Sequence, residues 1–346
     1  MITIANDINK AIENSLSQIN PDCIFLLTDS NVAKCCLPKI ILYSEKLFEK
    51  IVIGAGEDNK GLDALQLIWN ALIDKKATRH SLLICLGGGM ITDLGGFAAS
   101  TYMRGMPYIN IPTTLLATID ASIGGKTAIN YCGLKNQIGV FGQPRKTIIY
   151  PPFFDTLPFE EKLSGYAEMV KHALIADKEL LQRTLTFDLD CFDNALLVPL
   201  IEENLQIKRE VVNSDPEEHG LRKILNFGHT IGHALESLSH ETDHRLPHGY
   251  AVMWGMVAEL YLSMIAVGLD KQVVNTITSF ASENYPRLPL SCRQYDRLFD
   301  IMRHDKKNQN NNIHFTLLHQ IGNPTIDCVV KDEAILEALD YITMRL

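Results

Sequence analysis

Apolar and polar positions in the first 150 residues follow two alternating spacings. Short apolar runs bounded by glycine or polar residues are typical of buried strands, and they occur at residues 24–28, 51–53, 81–86 and 108–111. Between the second and third runs, residues 62–72 carry apolar side chains every three or four positions, which predicts a helix. Strands that alternate with helices predict an α/β domain with a mostly parallel sheet.

The spacing changes after Pro151 and Pro152. Apolar residues recur every three or four positions, as in helices, at residues 159–181, 196–212, 224–238 and 251–267. We therefore predict an all-α second domain and place the boundary near residue 150, which gives domains of residues 1–150 and 151–346. A chain of 346 residues, 46% of them hydrophobic, is long enough to form two cores.

Charge and cysteine usage narrow the class of protein. The net charge of −9 argues against a nucleic-acid-binding protein, which needs a basic surface. The chain has no uninterrupted apolar stretch of the roughly 18 residues that a membrane span needs, and its N-terminus lacks a signal pattern. Eight irregularly spaced cysteines without a CxxC pair are typical of reduced thiols. We therefore expect a cytoplasmic protein that binds neither nucleic acid nor membrane.

A triple glycine marks a candidate nucleotide site. Gly87, Gly88 and Gly89 lie between a predicted strand and a predicted helix, where the backbone can approach a phosphate and the helix N-terminus is positive. Two stricter fingerprints fail, because a GxGxxG motif needs glycine at Thr92 and a P-loop needs glycine at Asp120. A tight strand-to-helix turn without a ligand therefore remains an alternative.

Two acids near strand ends extend this candidate site. Asp29 and Glu57 are placed to accept hydrogen bonds from ribose or adenine groups, as acidic residues do in nucleotide sites. The alternative is that each carboxylate caps a helix, which acids at strand ends often do.

A polar stripe in the second half predicts a metal site. At about 100° per residue, Arg222, Asn226, His229 and His233 fall within a sector of roughly 60° of one helix, with apolar residues opposite. A HExxH site is excluded because no glutamate follows His229. Carboxylate and imidazole side chains also occur at Glu168 and His248, and such a mixture is typical of a catalytic divalent ion. A solvated helix face that carries two histidines is the alternative.

Basic residues lie in loops or beside these motifs, although any single one of them could be an ordinary surface charge. Within an acidic protein, the set predicts a substrate with more than one anionic group. It comprises Lys126, Lys135, Lys208, Arg222, Lys306 and Lys307.

Taken together, these segments resemble the 3-dehydroquinate synthases, which are sugar phosphate cyclases related to the glycerol and iron-dependent alcohol dehydrogenases. The matches run in order along most of the chain. They are residues 54–60 (GAGEDNK), 87–94 (GGGMITDL), 101–105 (TYMRG), 111–120 (IPTTLLATID), 124–127 (GGKT), 135–136 (KN), 167–171 (AEMVK), 225–233 (LNFGHTIGH), 248–249 (HG) and 305–307 (DKK).

The resemblance implies a cofactor set and a reaction. The family converts a seven-carbon keto acid phosphate into 3-dehydroquinate in the shikimate pathway, which leads to aromatic amino acids. NAD is reduced and reoxidised within one turnover, and a divalent metal, zinc or cobalt, is required. By this resemblance NAD contacts Asp29, Asn31, Glu57, Lys60, Gly88, Gly89, Asp93, Thr113, Thr114, Asp120, Lys135, Thr156 and Leu157.

The resemblance also assigns the metal and the substrate. The metal ligands are Glu168, His229 and His248, so that His233 becomes a substrate or proton-transfer group, and Arg104 reaches across a homodimer interface into the neighbouring site. The other substrate contacts are Asp120, Lys126, Asn136, Lys171, Lys208, Arg222, Asn226 and Lys306 or Lys307.

The chain departs from the family pattern at Tyr250, where glutamate is usual, and at Leu134, where glycine is common. Both positions bear on substrate preference and loop motion. Three alternatives to the 3-dehydroquinate reaction stay open: another sugar phosphate cyclase, a metal-dependent glycerol or alcohol dehydrogenase, and a regulator that binds NAD and metal without catalysis.

Overall fold

A computed structural model describes residues 1–41, 46, 48–132, 134–242, 245–303 and 312–344 of the chain. The chain divides into two units, Met1–Pro158 and Phe159–Leu346. The boundary expected near residue 150 falls where the 3-10 segment Pro151–Thr156 begins, shortly before the first helix of the second unit.

The first unit has the predicted alternation of strands and helices. Its strands are β1 (Ile2–Ile4), β2 (Ile24–Asp29), β3 (Phe48–Ile53), β4 (Leu82–Gly87), β5 (Tyr108–Pro112), β6 (Lys126–Tyr131), β7 (Leu134–Phe141) and β8 (Lys146–Ile149). Its helices are α1 (Ile8–Ile19), α2 (Val32–Cys35), α3 (Leu62–Asp74) and α4 (Gly89–Thr101), with short 3-10 or π segments at Leu37–Lys39, Glu57–Asn59, Tyr102–Arg104 and Ala117–Ala121.

Six of these strands form one sheet in the order β1-β8-β5-β4-β2-β3. Every pairing in it is parallel, which confirms the predicted sheet. Strands β6 and β7 form a separate antiparallel hairpin. Because the strands of a parallel sheet share one direction, their carboxyl ends meet at one edge, where α/β proteins usually bind ligands.

The central strands are buried on both faces, as covering helices require of a parallel sheet. Successive side chains of a strand point to opposite faces, and Phe25 and Leu27 of β2 accordingly belong to one core cluster with Leu65 and Leu94. The intervening residue Leu26 belongs to a second cluster with Ile8 and Ile12 of α1. The continuous apolar runs in the sequence therefore reflect burial from both sides.

The second unit is mainly helical, as predicted. Its helices are α5 (Phe159–Ala176), α6 (Lys178–Leu185), α7 (Asn194–Ser214), α8 (His229–Ser239), α9 (His248–Val267), α10 (Lys271–Asn284), α11 (Tyr295–Arg303) and α12 (Asp332–Met344), with 3-10 segments at Leu221–Asn226 and Cys292–Gln294. The structure adds an antiparallel hairpin, β9 (His314–Gln320) and β10 (Asn323–Val329), which apolar spacing did not predict.

Two predicted helices are interrupted. The helix expected at 159–181 ends at Ala176, and the Asp177 side chain then accepts a hydrogen bond from the backbone N–H of Leu180 at 2.7 Å, which starts α6 as an N-cap. The helix expected at 224–238 is broken by Gly228, whose φ of 78° is left-handed. Arg222 and Asn226 therefore lie on the 3-10 segment and not on the helix that carries His229, which corrects the prediction of one continuous polar stripe.

Helix α9 is the central helix of the second unit. It packs against α5, α8, α10 and α12, and its Trp254 is fully buried. By length and composition alone it is apolar enough to cross a membrane, but 72% of its most apolar 18-residue window is buried inside the protein. Its apolar residues are therefore accounted for by core packing.

Candidate nucleotide and metal sites

The triple glycine forms the predicted turn at the carboxyl edge of the sheet. Strand β4 ends at Gly87 and α4 begins at Gly89, while the backbone N–H of Thr113 donates to the carbonyl of Gly87 at 3.0 Å. A Cβ on Gly88 would lie 3.1 Å from Cγ2 of Thr114. Gly88, Gly89, Thr113 and Thr114 thus meet at the N-terminus of α4, where unsatisfied N–H groups favour an anion.

A buried lysine organises a second group of predicted residues. The Nζ of Lys60, which is 4% exposed, donates to Oδ2 of Asp93 at 2.7 Å and to Oδ1 of Asn136 at 2.6 Å. Burial raises the pKa of Asp93, although the Lys60 ammonium acts in the opposite direction. Asn130, which the sequence analysis missed, accepts from the Asn136 N–H at 2.9 Å and donates to Glu57 at 2.9 Å. Four predicted residues are therefore joined in one network through Asn130.

Asp29 has the structural role that the sequence left open. Its Oδ1 accepts from the backbone N–H groups of Asn31 at 2.8 Å and Val32 at 3.0 Å, so that it satisfies the first N–H of the short helix α2, whose N-cap residue is Asn31. It nevertheless lies at the carboxyl end of β2, the edge of the sheet at which β4 also ends. A cap and a ligand contact are compatible, because one carboxylate oxygen is engaged and a second is available.

The other predicted residues of the first unit lie on its turns and its hairpin. Asp120 lies in the π segment Ala117–Ala121, and Oγ1 of Thr156 donates to the Phe153 carbonyl at 3.1 Å, immediately before Leu157. Lys126 and Lys135 lie on the hairpin and are exposed, as is Arg104, whose φ of 64° is left-handed. All three cations are therefore accessible to solvent, whereas Lys60 is buried.

Four predicted side chains converge in the second unit. Oε1 of Glu168 lies 3.4 Å from Nε2 of His229 and 3.6 Å from Nε2 of His248. The rings of His229 and His233 are 5.0 Å apart, and those of His233 and His248 are 5.8 Å apart. One nitrogen from each of the three histidines lies within 4.8 Å of the other two.

This spacing fits a divalent ion. Ligand atoms about 2.1 Å from a tetrahedral zinc ion lie about 3.4 Å from one another, which agrees with the 3.4 Å and 3.6 Å from Glu168 to the two imidazoles. Glu168 is fully buried, and a carboxylate in that position needs cationic partners. Lys171, one turn further along α5 and 1% exposed, is one such partner through its contact with Oε2.

Close backbone contacts between helices bring these ligands together. Gly249 follows His248 at the start of α9, and its N–H donates to Oγ of Ser164 on α5 at 3.0 Å. A Cβ at Gly249 would lie 1.9 Å from the Ser164 carbonyl oxygen, so only glycine fits there. Because Ser164 and Glu168 are four positions apart and share a face of α5, this contact places His248 beside Glu168.

Helix α8 is held against α9 in a similar way. A Cβ at Gly255 would lie 2.0 Å from the Gly228 carbonyl oxygen, which allows the two helices to cross at very short range. The fully buried carboxylate of Glu259 on α9 accepts from the backbone N–H groups of Gly228 at 2.7 Å and Thr230 at 3.1 Å. Glu259 thereby caps the N-terminus of α8, where His229 lies, and sequence periodicity gave no signal for this contact.

The electrostatics of the cluster favour a cation. Burial alone would raise the pKa of Glu168, but Lys171, His229 and His248 hold that pKa well below its ordinary value. Burial and the Lys171 ammonium lower the pKa of His229, which keeps its imidazole neutral, as a metal ligand must be. For His248, burial is outweighed by the carboxylates of Glu236 and Glu168, and its pKa rises to about 10.

The predicted anion-binding residues of the second unit include two buried cations, Lys208 at 4% and Arg222 at 2% exposed. The Asp215 carboxylate accepts from the backbone N–H groups of Gly220 at 2.7 Å and Arg222 at 3.0 Å, which folds the loop before Arg222. Asn226 donates to Glu218 at 3.0 Å. Lys306 and Lys307 lie outside the described residues.

Family models match most of the chain. The model described as 3-dehydroquinate synthase N-terminal matches residues 50–164, and the model described as 3-dehydroquinate synthase C-terminal matches residues 165–308. Among curated proteins, the 3-dehydroquinate synthase of Parabacteroides distasonis is 44% identical over 98% of this chain and 97% of its own length. The enzyme of the same name from Clostridium tetani is 38% identical over 96% of this chain and 88% of its own length.

Solved structures share the fold. A 2-epi-5-epi-valiolone synthase from Streptomyces hygroscopicus with NAD⁺ and Zn²⁺ bound has a TM-score of 0.85 at 24% identity, covering 100% of this chain and 97% of its own. A 2-deoxy-scyllo-inosose synthase complexed with carbaglucose-6-phosphate, NAD⁺ and Co²⁺ has a TM-score of 0.85 at 22% identity, covering 100% and 96%. An iron-containing alcohol dehydrogenase is more distant, with a TM-score of 0.69 at 13% identity.

Proposed function

The chain belongs to the 3-dehydroquinate synthase family, and we propose that it converts 3-deoxy-D-arabino-heptulosonate 7-phosphate into 3-dehydroquinate and phosphate. The observation that carries this proposal is the relationship to curated 3-dehydroquinate synthases over nearly the whole chain. The reaction oxidises a secondary alcohol, eliminates phosphate, reduces the ketone again and closes the ring by an internal aldol step. One NAD per site serves both hydride transfers.

The first unit is proposed to bind NAD, which would accept a hydride from the substrate and return it within one turnover. The N-terminus of α4, at Gly88 and Gly89, is suited to the pyrophosphate because its N–H groups point outward. The network of Glu57, Lys60 and Asp93 offers donors and acceptors to the sugar hydroxyls. Asp29, Asn31, Thr113, Thr114, Asp120, Lys135, Thr156 and Leu157 complete the proposed cofactor contacts.

The second unit is proposed to bind a divalent ion, zinc or cobalt, through Glu168, His229 and His248. When bound, such an ion makes a substrate hydroxyl more acidic and holds its carbon in place. The spacing of the three ligand atoms supports this assignment. His233 is then left to contact the substrate or transfer a proton, while Lys171 keeps the buried Glu168 ionised.

The substrate carries a phosphate and a carboxylate. We propose Lys126, Asn136 and His233 for the phosphate, and Arg222 with Lys208 for the carboxylate, because a guanidinium binds a carboxylate bidentately. Lys171, Asn226, Lys306 and Lys307 are proposed as further substrate contacts. The burial of Arg222 and Lys208 supports their role, since a buried cation binds an anion more strongly than an exposed one.

We also propose a homodimer in which Arg104 reaches the neighbouring site. The hairpin of β6 and β7 exposes an unusual set of large apolar side chains, including Leu134 at 57% and Phe141 at 56%. Met103, which precedes Arg104 in the chain, is 51% exposed and, like Arg104, has a left-handed backbone. Such apolar surfaces are typical of subunit contacts. A monomeric mass by light scattering at micromolar concentration would contradict this proposal.

We propose the cytoplasm as the site of action, which is supported by the eight cysteines. None of the eight cysteines, all of which lie in the described residues, forms a disulfide, and four of them are exposed, a pattern that a reducing compartment maintains.

The test of the reaction is phosphate release from 3-deoxy-D-arabino-heptulosonate 7-phosphate, with catalytic NAD⁺ and added zinc or cobalt, while NADH absorbance is followed in parallel. We expect many turnovers without accumulation of NADH and loss of activity with a chelator. The variant His229→Ala should be inactive, whereas the matched control His240→Ala, at the exposed end of α8, should retain activity.

Other outcomes point to the alternatives. NADH formed in proportion to product would indicate a dehydrogenase of the glycerol or alcohol type. Turnover of a different phosphorylated sugar, with none of the keto acid, would indicate another sugar phosphate cyclase. A folded, metal-loaded protein that turns over no such substrate would support a regulator that binds NAD and metal.

A further inference from the structure

The imidazole of His248 lies between two carboxylates. Its Nδ1 is 3.1 Å from Oε2 of Glu236, and its Nε2 is 3.6 Å from Oε1 of Glu168. Glu236 lies on α8 and is 8% exposed. It follows His229 by seven positions and His233 by three, so all three share one face of the helix. That face therefore carries a buried carboxylate in addition to its histidines.

The imidazole of His229 also directs its Nε2 towards Glu168, but its Nδ1 contacts a backbone carbonyl and not a carboxylate. Nδ1 of His229 is 3.1 Å from the carbonyl oxygen of Phe227, and its Nε2 is 3.4 Å from the same Oε1 of Glu168. In a neutral imidazole, a ring nitrogen that donates to an oxygen carries the single proton, which leaves the other nitrogen with a lone pair for a metal ion. Both rings therefore direct Nε2 towards Glu168, one through a backbone carbonyl and one through the side chain of Glu236.

This geometry has a known consequence for metal ligands. A ligating histidine usually donates its other N–H to a carboxylate or a carbonyl, which fixes the tautomer and the orientation of the ring. The loss of such a partner typically weakens metal binding by about 10- to 100-fold. His248 needs this support more than His229, because it is the first residue of α9 and its side chain is 24% exposed.

We propose that Glu236 is a positioning residue that holds the imidazole of His248 with Nε2 directed at Glu168, and that it thereby sets the affinity of the divalent-ion site. The proposal rests on the metal assignment in the proposed function. Glu236 does not itself ligate the ion, because its carboxylate contacts the nitrogen of His248 that faces away from Glu168. A purely structural role, in which Glu236 only joins α8 to the start of α9, is the competing explanation.

The chain offers a matched control for that structural role. Ser239 lies three positions further along α8, and its Oγ accepts from the backbone N–H of Leu246 at 3.0 Å. It therefore ties the end of α8 to the connection that leads to His248 without touching the imidazole ring. The variant Ser239→Ala loosens this connection and removes the hydrogen bond that its hydroxyl donates to the backbone carbonyl of Glu236 at 2.6 Å, but it leaves the Glu236 carboxylate beside His248.

The experiment measures cobalt and zinc affinity of the full-length, metal-stripped protein by competition with a chromophoric chelator. We expect Glu236→Ala to raise Kd about 10- to 100-fold and Ser239→Ala to change it by less than about threefold. Glu236→Gln keeps an oxygen that accepts from Nδ1, so its Kd should fall between wild type and Glu236→Ala. The visible spectrum of bound cobalt should shift in Glu236→Ala and not in Ser239→Ala.

Thermal unfolding of the metal-free proteins shows whether each variant is folded, so that a change in cobalt affinity can be separated from a loss of structure. The proposal would be overturned if folded Glu236→Ala bound cobalt as tightly as the wild type. It would also be overturned if Glu236→Ala and Ser239→Ala lost cobalt affinity to the same extent. If Glu236→Ala does not fold, Glu236→Gln decides, and unchanged affinity and spectrum in that variant overturn the proposal. If the wild type binds no cobalt, the metal assignment itself is contradicted. If the wild type binds cobalt and the Glu236 variants bind it with the same affinity, only the role of Glu236 is contradicted.

Discussion

The contact between Gly249 and Ser164 predicts what one added methyl group does to the metal site. In Gly249→Ala the new Cβ would lie 1.9 Å from the carbonyl oxygen of Ser164 and 2.5 Å from its carbonyl carbon. Both atoms belong to the backbone, so no change of rotamer relieves the clash. An ordinary contact needs about 3.4 Å, and the start of α9 must therefore move from α5 by about 1.5 Å.

This displacement exceeds what the proposed ion can tolerate. Nε2 of His248 is 3.6 Å from Oε1 of Glu168, and an added 1.5 Å would separate them by about 5 Å. An ion with ligands at about 2.1 Å bridges at most about 4.2 Å. We therefore expect one of the two ligands to be lost and the Kd for cobalt to rise at least about 100-fold, with a destabilisation of about 1–3 kcal/mol from overpacking.

The assay combines cobalt affinity by chelator competition with thermal unfolding of the metal-free protein. Ser164→Ala is the matched control, because it removes the hydroxyl that accepts from the Gly249 N–H at 3.0 Å without adding an atom. We expect it to cost about 1 kcal/mol of stability and to change cobalt affinity only a few-fold. A folded Gly249→Ala protein with wild-type cobalt affinity would refute the inference that this helix contact sets the ligand spacing.

Arg222→Ala should raise KM for the keto acid phosphate by about 10- to 100-fold, since a charge-assisted hydrogen bond contributes about 1.5–3 kcal/mol; unchanged KM and kcat would remove Arg222 from the site. Hydrogen bonds from the N–H groups of Arg222 and Gly220 lower the pKa of Asp215 to about 2 from 3.8, so its stabilising contribution is complete above about pH 4 and is lost as the pH falls towards 2. The difference in unfolding free energy between wild type and Asp215→Asn should be constant from pH 5 to 8 and shrink below pH 4, and a decrease between pH 5 and 7 would contradict this. Glu259→Leu leaves the N–H groups of Gly228 and Thr230 without their acceptor and should lower the melting temperature of the metal-free protein; an unchanged melting temperature would show that α8 does not need this cap.

The sequence predicted those elements that leave a signal within their own residues, such as a continuous apolar run or a glycine turn. Strands β2, β4 and β5 were found as short apolar runs because the sheet is covered on both faces, and the residues of a run such as β4 are all buried. The turn at Gly87–Gly89 was found for a similar local reason, since a strand, a glycine turn and a helix start are adjacent in the chain. The hairpin of β9 and β10 was missed, because its outer strand is mostly half-buried or exposed and has no strong periodicity.

The apolar spacing did not predict where helices are interrupted, for a different reason. Residues 224–238 have continuous helical spacing, yet Gly228 has a φ of 78° and a Cβ there would lie 2.4 Å from Met256 on α9. The break is imposed by the close approach of a helix that follows in the chain by more than 20 residues. Spacing within one segment contains no information about that neighbour.

The metal site divides in the same way. The sequence by itself indicated imidazole and carboxylate ligands, because His229 and His233 lie four positions apart on one helix face and Glu168 and His248 add a carboxylate and a third imidazole. The choice of Glu168, His229 and His248 came from the family resemblance. Only the tertiary structure brought Oε1 of Glu168 to 3.4 Å from Nε2 of His229 and to 3.6 Å from Nε2 of His248, through helix contacts that glycine alone permits. The positions of Glu236 and Glu259 beside that cluster were likewise decided by packing. Each carboxylate contacts a group at the other of the two helices α8 and α9, and the way these helices cross determines that contact, which local sequence does not.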